Sequence, residues 1–216
     1  MKYIAHGGYG GSMNSIKSIK MAYNMNYDGI EMDIQLCKSG EIILHHDIYI
    51  KDDNGDRFIS DMTLDEIKEI YDMATLEDLY NILPIITNKK ILLDIKGNDL
   101  EIVNKLISFY ATREYKNVLF CSFNRKIIHL FPKYFKIAFI LDSTYLNNEY
   151  EIITKNLSAV ILHWTCLDRD FNIYCHNNNI DIYTYTVNTP TELLYIKNYD
   201  VDYAITDISN LILENV

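Results

Sequence analysis

Eight short runs rich in Ile, Val, Tyr or Phe recur along the chain. They are YIAHG (3–7), GIEMDIQL (29–36), KILLDIKG (90–97), NVLFCSF (117–123), KIAFILD (136–142), SAVILHW (158–164), DIYTYTV (181–187) and DYAITDI (202–208), each with the composition of a buried strand. Between most of them the apolar residues return at helical spacing, as with Ile16, Ile19 and Tyr23, with Leu100, Val103, Leu106 and Ile107, and with Leu193, Leu194 and Ile196. Asn14 and Thr189 stand where helix N-caps are expected. Strands that each hand over to a helix predict a parallel sheet, and eight of them close into a (β/α)8 barrel, for which 216 residues is near the lower limit. A doubly wound open sheet is the alternative, one strand away in the count. EIILHHD (41–47) follows the turn CKSG (37–40) too closely for an intervening helix. It is expected to fold back as a β-hairpin arm after strand 2, followed by a short insertion.

Composition narrows the partners. With 49% hydrophobic residues the chain can fill one core, and residues 1–216 read as a single domain. Thirty acidic against 20 basic side chains give a net charge of -10, which repels phosphate backbones and argues against nucleic acid. Cys37, Cys121, Cys166 and Cys175 form no CxxC pair and sit in apolar or helix-like surroundings, so they are expected to be buried thiols of a reducing compartment. No secretory signal or membrane-spanning run is evident. The expected location is therefore cytoplasmic.

Alternation within the strands places charge where a core would be expected. Ile30, Met32, Ile34 and Leu36 share one face of the second strand, while Glu31, Asp33 and Gln35 share the other. In the third strand Leu92, Asp94 and Lys96 oppose Ile91, Leu93 and Ile95. In a barrel the acidic face points inward near the C-terminal mouth, where such folds place their chemistry. Three carboxylates raise one another's pKa unless a cation compensates, and oxygen-only ligation by Glu31, Asp33 and Asp94 suits Mg²⁺ or Ca²⁺. A plain structural pair between Lys96 and Asp94 or Glu31 is the other reading. His6 ends the first strand before GGYGG (7–11), whose backbone N–H groups are expected to be free to approach an anion. His46 shares a face with Ile42 and Leu44, and His45 with Ile43. Two histidines flanking an acidic site fit general acid–base work, whereas His129, His163 and His176 lack such company.

These residues resemble the glycerophosphodiester phosphodiesterases. The family pattern H-R-G, E-N-T, G-x-E-x-D-(apolar)-x-(apolar)-T-K-D-G and H-D is matched by His6-Gly7-Gly8, Met13-Asn14-Ser15, the run from Gly29 to Gly40, and His46-Asp47. MTLDEIKEI (62–70) and ATLEDLYNIL (74–83) are similar to its two T-L helices, ILLDIKG to its apolar-E-apolar-K strand, and CSFN to its S-F segment. IYTYTVNT is similar to its W-T-V-N strand, and VDYAITDIS to its closing V-D-x-x-x-T-D. The resemblance implies a TIM barrel, a divalent metal held by Glu31, Asp33 and Asp94, and acid–base catalysis by His6 and His46.

Three departures bear on the substrate. Gly7 replaces the family arginine and removes a bidentate phosphate ligand, leaving that task to Lys96. Asp94 stands where the hydrolases usually have Glu, although the related phospholipase D toxins of the same superfamily also use Asp and lack the arginine. Tyr185 replaces a tryptophan and keeps a smaller aromatic wall beside the leaving group. Asn14, Ser122, Asn188 and Asp207 are expected to orient the histidines and metal ligands. The reaction these residues imply is cleavage of a small glycerophosphodiester, or of a related (lyso)phospholipid reached by transient membrane-surface contact. A phosphodiester-binding barrel without turnover is the alternative. A Schiff-base role for Lys96 is disfavoured, because Asp94 beside it holds the amine protonated.

Overall fold

The computed structural model describes residues 1–10, 12–52, 55–82, 89–113 and 116–208. Eight parallel strands form a closed barrel, confirming the expected fold: β1 (Lys2–His6), β2 (Gly29–Leu36), then β6 (Lys90–Ile95), β7 (Val118–Ser122), β8 (Ile137–Leu141), β9 (Ala159–His163), β10 (Asp181–Tyr185) and β11 (Tyr203–Thr206). Pairing of β1 with both β11 and β2 closes the ring, which rules out the open sheet. The intervening helices are α1 (Ile16–Asn24), α4 (Glu101–Tyr110), α5 (Arg125–Leu130), α6 (Tyr150–Thr154), α7 (Arg169–Asn177) and α8 (Pro190–Ile196).

The expected arm is β3 (Ile42–Leu44), antiparallel to the end of β2 with Ile34 opposite Leu44. The insertion that follows is a two-stranded hairpin, β4 (Tyr49–Asp52) with β5 (Gly55–Phe58). It seats Ile50 with Cys37, Ile43, Ile59, Met62 and Ile67 in a small core of its own. Helices α2 (Leu64–Lys68) and α3 (Leu76–Ile82) complete the segment, and the side chains of Thr63 and Thr75 accept from the backbone N–H groups of Glu66 and Asp78. These are the two T-L helices read from the sequence.

Strand alternation sorts the barrel into two cores. Ile30, Met32, Ile34, Leu93 and Ile95 pack under the helices, whereas Ile4, Leu92, Cys121, Ala138, Ile140, Ile161, Tyr183, Tyr203 and Ile205 fill the interior. Tyr183 and Tyr203 stack there with ring centroids 4.3 Å apart, beneath Lys90, whose ammonium lies 4.5 Å from the Tyr203 ring. The lower barrel is thus packed with apolar and aromatic side chains, and the polar residues of β1, β2 and β6 are left at the upper end.

Thr189 caps α8 as expected, but Asn14 does not cap α1. Ser15 does so, its side chain accepting from Ser18 N–H, while Asn14 adopts φ 61° and turns its amide into the barrel mouth. Cys37, Cys121 and Cys175 are buried free thiols; Cys166 is half-buried, a correction to the expectation that all four are enclosed. Among the described residues no helix is long and apolar enough to cross a membrane.

The turn after β1 leaves little room. Gly8 has φ 96°, and a Cβ there would stand 2.5 Å from Ser18 Oγ and 2.7 Å from the Ser18 carbonyl carbon. Gly8→Ala is therefore expected to lower stability by about 1–3 kcal/mol, read as a reduced urea midpoint with the m-value preserved. An unchanged midpoint would mean that this turn rearranges freely.

Candidate active site

The in-register parallel pairing of β2 with β6 places Asp33 opposite Asp94, and both point into the barrel. Glu31, one inward position earlier, completes a triad whose carboxylate oxygens lie within 4.8 Å of one another, all three residues buried. Lys96 Nζ sits 2.5 Å from Asp94 Oδ2 and 2.9 Å from Asp33 Oδ1. Asn14 clamps Asp33 from the other side, donating its amide to Oδ2 at 2.8 Å and accepting from Asp33 N–H at 2.9 Å. The Gly7 N–H donates to Glu31 Oε2 at 3.1 Å.

Both histidines predicted from the sequence reach the same cavity, of about 260 Å³, which they line with the acidic triad, Lys96 and Tyr185. His6 Nδ1 lies 2.6 Å from Asp207 Oδ1, and Nε2 is 4.0 Å from Glu31 Oε2. Asn188 holds Asp207 in turn, its amide donating to Oδ2 and its Oδ1 accepting from Asp207 N–H at 2.9 Å. His46 Nδ1 lies 2.8 Å from Asp47 Oδ1. A carboxylate can only accept, so each pairing favours a proton on Nδ1 and leaves Nε2 free for exchange.

Strand alternation by itself does not explain how His46 arrives. Leu44, on the face assigned to it, packs under the helices, and β3 ends there. Beyond that point the chain turns over the mouth, held by Gln35, whose amide donates to the carbonyls of His45 at 2.7 Å and Asp47 at 2.8 Å. Gln35 was legible only as an inward-facing position of β2, with no sign of what it would hold. Phe123 was likewise missed: it lines the cavity at the end of β7 and meets the Tyr185 ring edge-on at 6.1 Å.

Two expectations need correction. The Gly7 N–H is taken by Glu31, and the Tyr9 N–H by the Ser18 carbonyl at 3.0 Å, so neither is free for an anion; Gly11, at the end of that run, lies outside the described residues. Gly7, at φ 59° with Met13 Cε 2.8 Å from where a Cβ would project, also has no space for an arginine without displacing Met13. Among the described residues Ser122 makes no hydrogen bond to a histidine or an acid. Its hydroxyl donates to the Ile95 carbonyl at 2.7 Å and accepts from Asn124 N–H at 3.0 Å, joining the loops after β6 and β7.

The electrostatics show a site short of positive charge. Burial, reinforced by Asp33, holds the Glu31 pKa well above its ordinary value. Burial also lifts Asp94 from 3.8 to about 6 against the pull of Lys96. Burial opposes protonation of His6, but the hydrogen bond to Asp207 and the charges of Glu31, Asp207 and Asp33 outweigh it and raise the imidazole to about 9. The Lys96 ammonium is stabilised by Asp94 and Asp33 despite its burial, which agrees with the case against Schiff-base chemistry. Asp94 Oδ1 is buried without a hydrogen-bond partner, and Asp33 Oδ1 has only the Lys96 ammonium, outside hydrogen-bond geometry. Buried carboxylate oxygens without hydrogen-bond donors, gathered at the acidic side of this cavity, are a donor set that suits a divalent cation.

Residues 5–172 match the family model described as the Glycerophosphoryl diester phosphodiesterase family. A glycerophosphodiester phosphodiesterase of Caldanaerobacter subterraneus subsp. tengcongensis is 27% identical, over 90% of this chain and 88% of its own length. Among solved structures, a glycerophosphodiester phosphodiesterase from Thermotoga maritima superposes with TM-score 0.84 at 23% identity, covering 100% of this chain and 98% of its own. A phosphodiesterase from Oleispira antarctica, solved with the product sn-glycerol-3-phosphate, superposes with TM-score 0.82 at 16% identity, covering 99% of this chain and 96% of its own. At those identities the two structures establish the shared barrel.

The raised groups set the pH dependence of stability. Glu31, Asp94 and His6 all bind protons more tightly in the folded chain than in the unfolded one, so their contribution is present at low pH and lost as pH rises through their folded values. His45, lowered by burial, opposes them in part. The melting temperature of metal-free protein is expected to fall as pH rises from about 5.5 to about 9, and millimolar Mg²⁺ or Ca²⁺ to restore it most at the alkaline end. A cation-independent melting temperature that climbs with pH would contradict this assignment.

Proposed function

The chain belongs to the glycerophosphoryl diester phosphodiesterase family and is thereby a phosphoric diester hydrolase, and on that footing we propose that it cleaves small glycerophosphodiesters or related lysophospholipid phosphodiesters with a divalent cation and two histidines. The observation that carries this reading is the convergence of the buried acidic triad, Lys96 and two carboxylate-backed histidines on one cavity. Glu31, Asp33 and Asp94 would hold the cation, Mg²⁺ or Ca²⁺. Once bound, it supplies Lewis-acid neutralisation of the phosphate oxygens.

The chain's own residues account for the rest. Lys96, fixed between Asp94 and Asp33, presents a permanent positive charge at the cavity wall and takes the place of the arginine absent at Gly7. One of His6 and His46 removes the proton from the attacking hydroxyl, which belongs to water or to a neighbouring substrate alcohol. The other protonates the leaving oxygen. Asp207, steadied by Asn188, fixes the tautomer of His6, and Asp47 does the same for His46. Asn14 orients Asp33 through both ends of its amide. Tyr185 and Phe123 form an aromatic wall over the apolar half of the cavity, opposite the acids.

Gly7, with Met13 filling the space beside it, favours a second reading in which the barrel binds phosphodiesters without turning them over. A panel of glycerophosphodiesters and lysophospholipids, assayed with and without EDTA and scored by product identity, separates the two. Phosphate-monoester or cyclic-phosphate product is expected, lost with EDTA and reduced at least about 10²-fold by His6→Ala or His46→Ala. Binding without product would select the second reading, and activity indifferent to EDTA and to both substitutions would remove the mechanism.

A further inference from the structure

Beside the catalytic cavity lies a second concavity of about 490 Å³, where the loops after β6 and β7 face each other. Its lining includes Lys96, Asn98, Phe123, Asn124, Arg125 and Lys126, and contains no carboxylate. In a chain of net charge -10, a hollow with three cations and no acid is a local reversal of sign. Lys96 is engaged by Asp33 and Asp94. Among the described residues no carboxylate lies within ion-pair distance of Arg125 or Lys126, and no protein acceptor bonds the Arg125 guanidinium.

Two further features make this more than a pair of surface cations. The Arg125 guanidinium lies 5.6 Å from the Phe139 ring and 5.9 Å from that of Tyr145, so its stem is restrained while its donors remain available. Ser122 bonds both the Ile95 carbonyl and Asn124 N–H, so the segment bearing Arg125 and Lys126 is tied to the strand end that carries Lys96. The two hollows share Lys96 and Phe123. A ligand whose scissile phosphate lies over the acids can therefore extend one of its alcohol groups into the hollow lined by Arg125 and Lys126.

We propose that this concavity is a subsite for an anionic group, phosphate or carboxylate, carried by the alcohol on one side of the scissile phosphodiester. The proposal rests on the hydrolase reading above and assigns its substrate class: glycerophosphodiesters with an additional negative charge on the head group.

Two matched substrate pairs test it. Glycerophosphoinositol 4-phosphate and glycerophosphoinositol differ by one phosphate; glycerophosphoserine and glycerophosphoethanolamine differ by one carboxylate. The anionic member of at least one pair is expected to be preferred about tenfold or more in kcat/KM, through KM, and to lose that preference in high salt. The double variant Arg125→Gln, Lys126→Gln is expected to bring the preference to within about twofold of unity, with a single cooperative thermal transition retained and lowered by no more than about 4 °C, since both side chains are exposed and only the Arg125 contacts with the Phe139 and Tyr145 rings are lost. Equal use of both members of each pair by the wild type, or a preference that survives the double variant, would overturn the subsite and leave the hydrolase reading intact. Failure to cleave any of the four would overturn both.

Discussion

Three carboxylates held within 4.8 Å of one another and shielded from water are the constraint around which the barrel mouth is organised. Like charges at that separation disfavour joint ionisation, and burial adds to the penalty. Each neighbour offsets part of it: the Lys96 ammonium between Asp94 and Asp33, the Asn14 amide on Asp33, and the Gly7 N–H on Glu31. What remains uncompensated is an orphaned oxygen on Asp94, and burial together with the neighbouring acids holds Glu31 and Asp94 above their ordinary pKa values. The arrangement depends on register. With Asp33 opposite Asp94 in a parallel ladder, directly paired residues share a face, and a slip of one position would turn Asp94 outward under the helices.

Around this centre the mouth divides into regions of different chemistry. Strands β1, β2 and β6 bring the acids, His6 and Lys96, whereas the cavity's other half carries Ile140, Ile161 and Tyr185 from β8, β9 and β10. The short antiparallel arm lies beside the acidic half, at the end of β2. By pairing with the end of β2 and then leaving the ladder at Leu44, it delivers His46 to the cavity from outside the barrel wall. Gln35 holds that departure in place with two hydrogen bonds to the loop's carbonyls. A buried amide with both N–H groups spent on one loop is a rigid brace, and it makes β2 the support for both sides of the site.

Much of this was legible residue by residue. The alternation in GIEMDIQL and KILLDIKG identified the inward faces, and the two cores of the barrel follow it. His6, Asp207 and Asn188 were named from widely separated stretches and are found hydrogen-bonded in sequence, one to the next. Other features had no sequence signal. Whether Asn14 or Ser15 caps α1 depends on which side chain has a competing partner, and for Asn14 that partner is Asp33, across the barrel mouth. The Gly7 and Tyr9 N–H groups looked free because their acceptors, Glu31 and Ser18, lie outside the glycine-rich run. Ser122 stood in the correct place, yet it secures two loops rather than a catalytic group.

The strand–helix alternation, the strand faces and the chemical identity of the acids, histidines and lysine could be read from the chain alone, because the two-residue strand period and the alternation are local properties; closure of the sheet into a barrel rests on the β1–β11 and β1–β2 pairings. Only the tertiary structure decided that Gln35 aims the His46 loop and that Phe123 closes the aromatic wall. It also decided that Arg125 and Lys126 meet Lys96 across a hollow free of carboxylates. Those relations join loops that leave different strands, and ring closure sets the distances between them; no run of neighbouring residues encodes that closure.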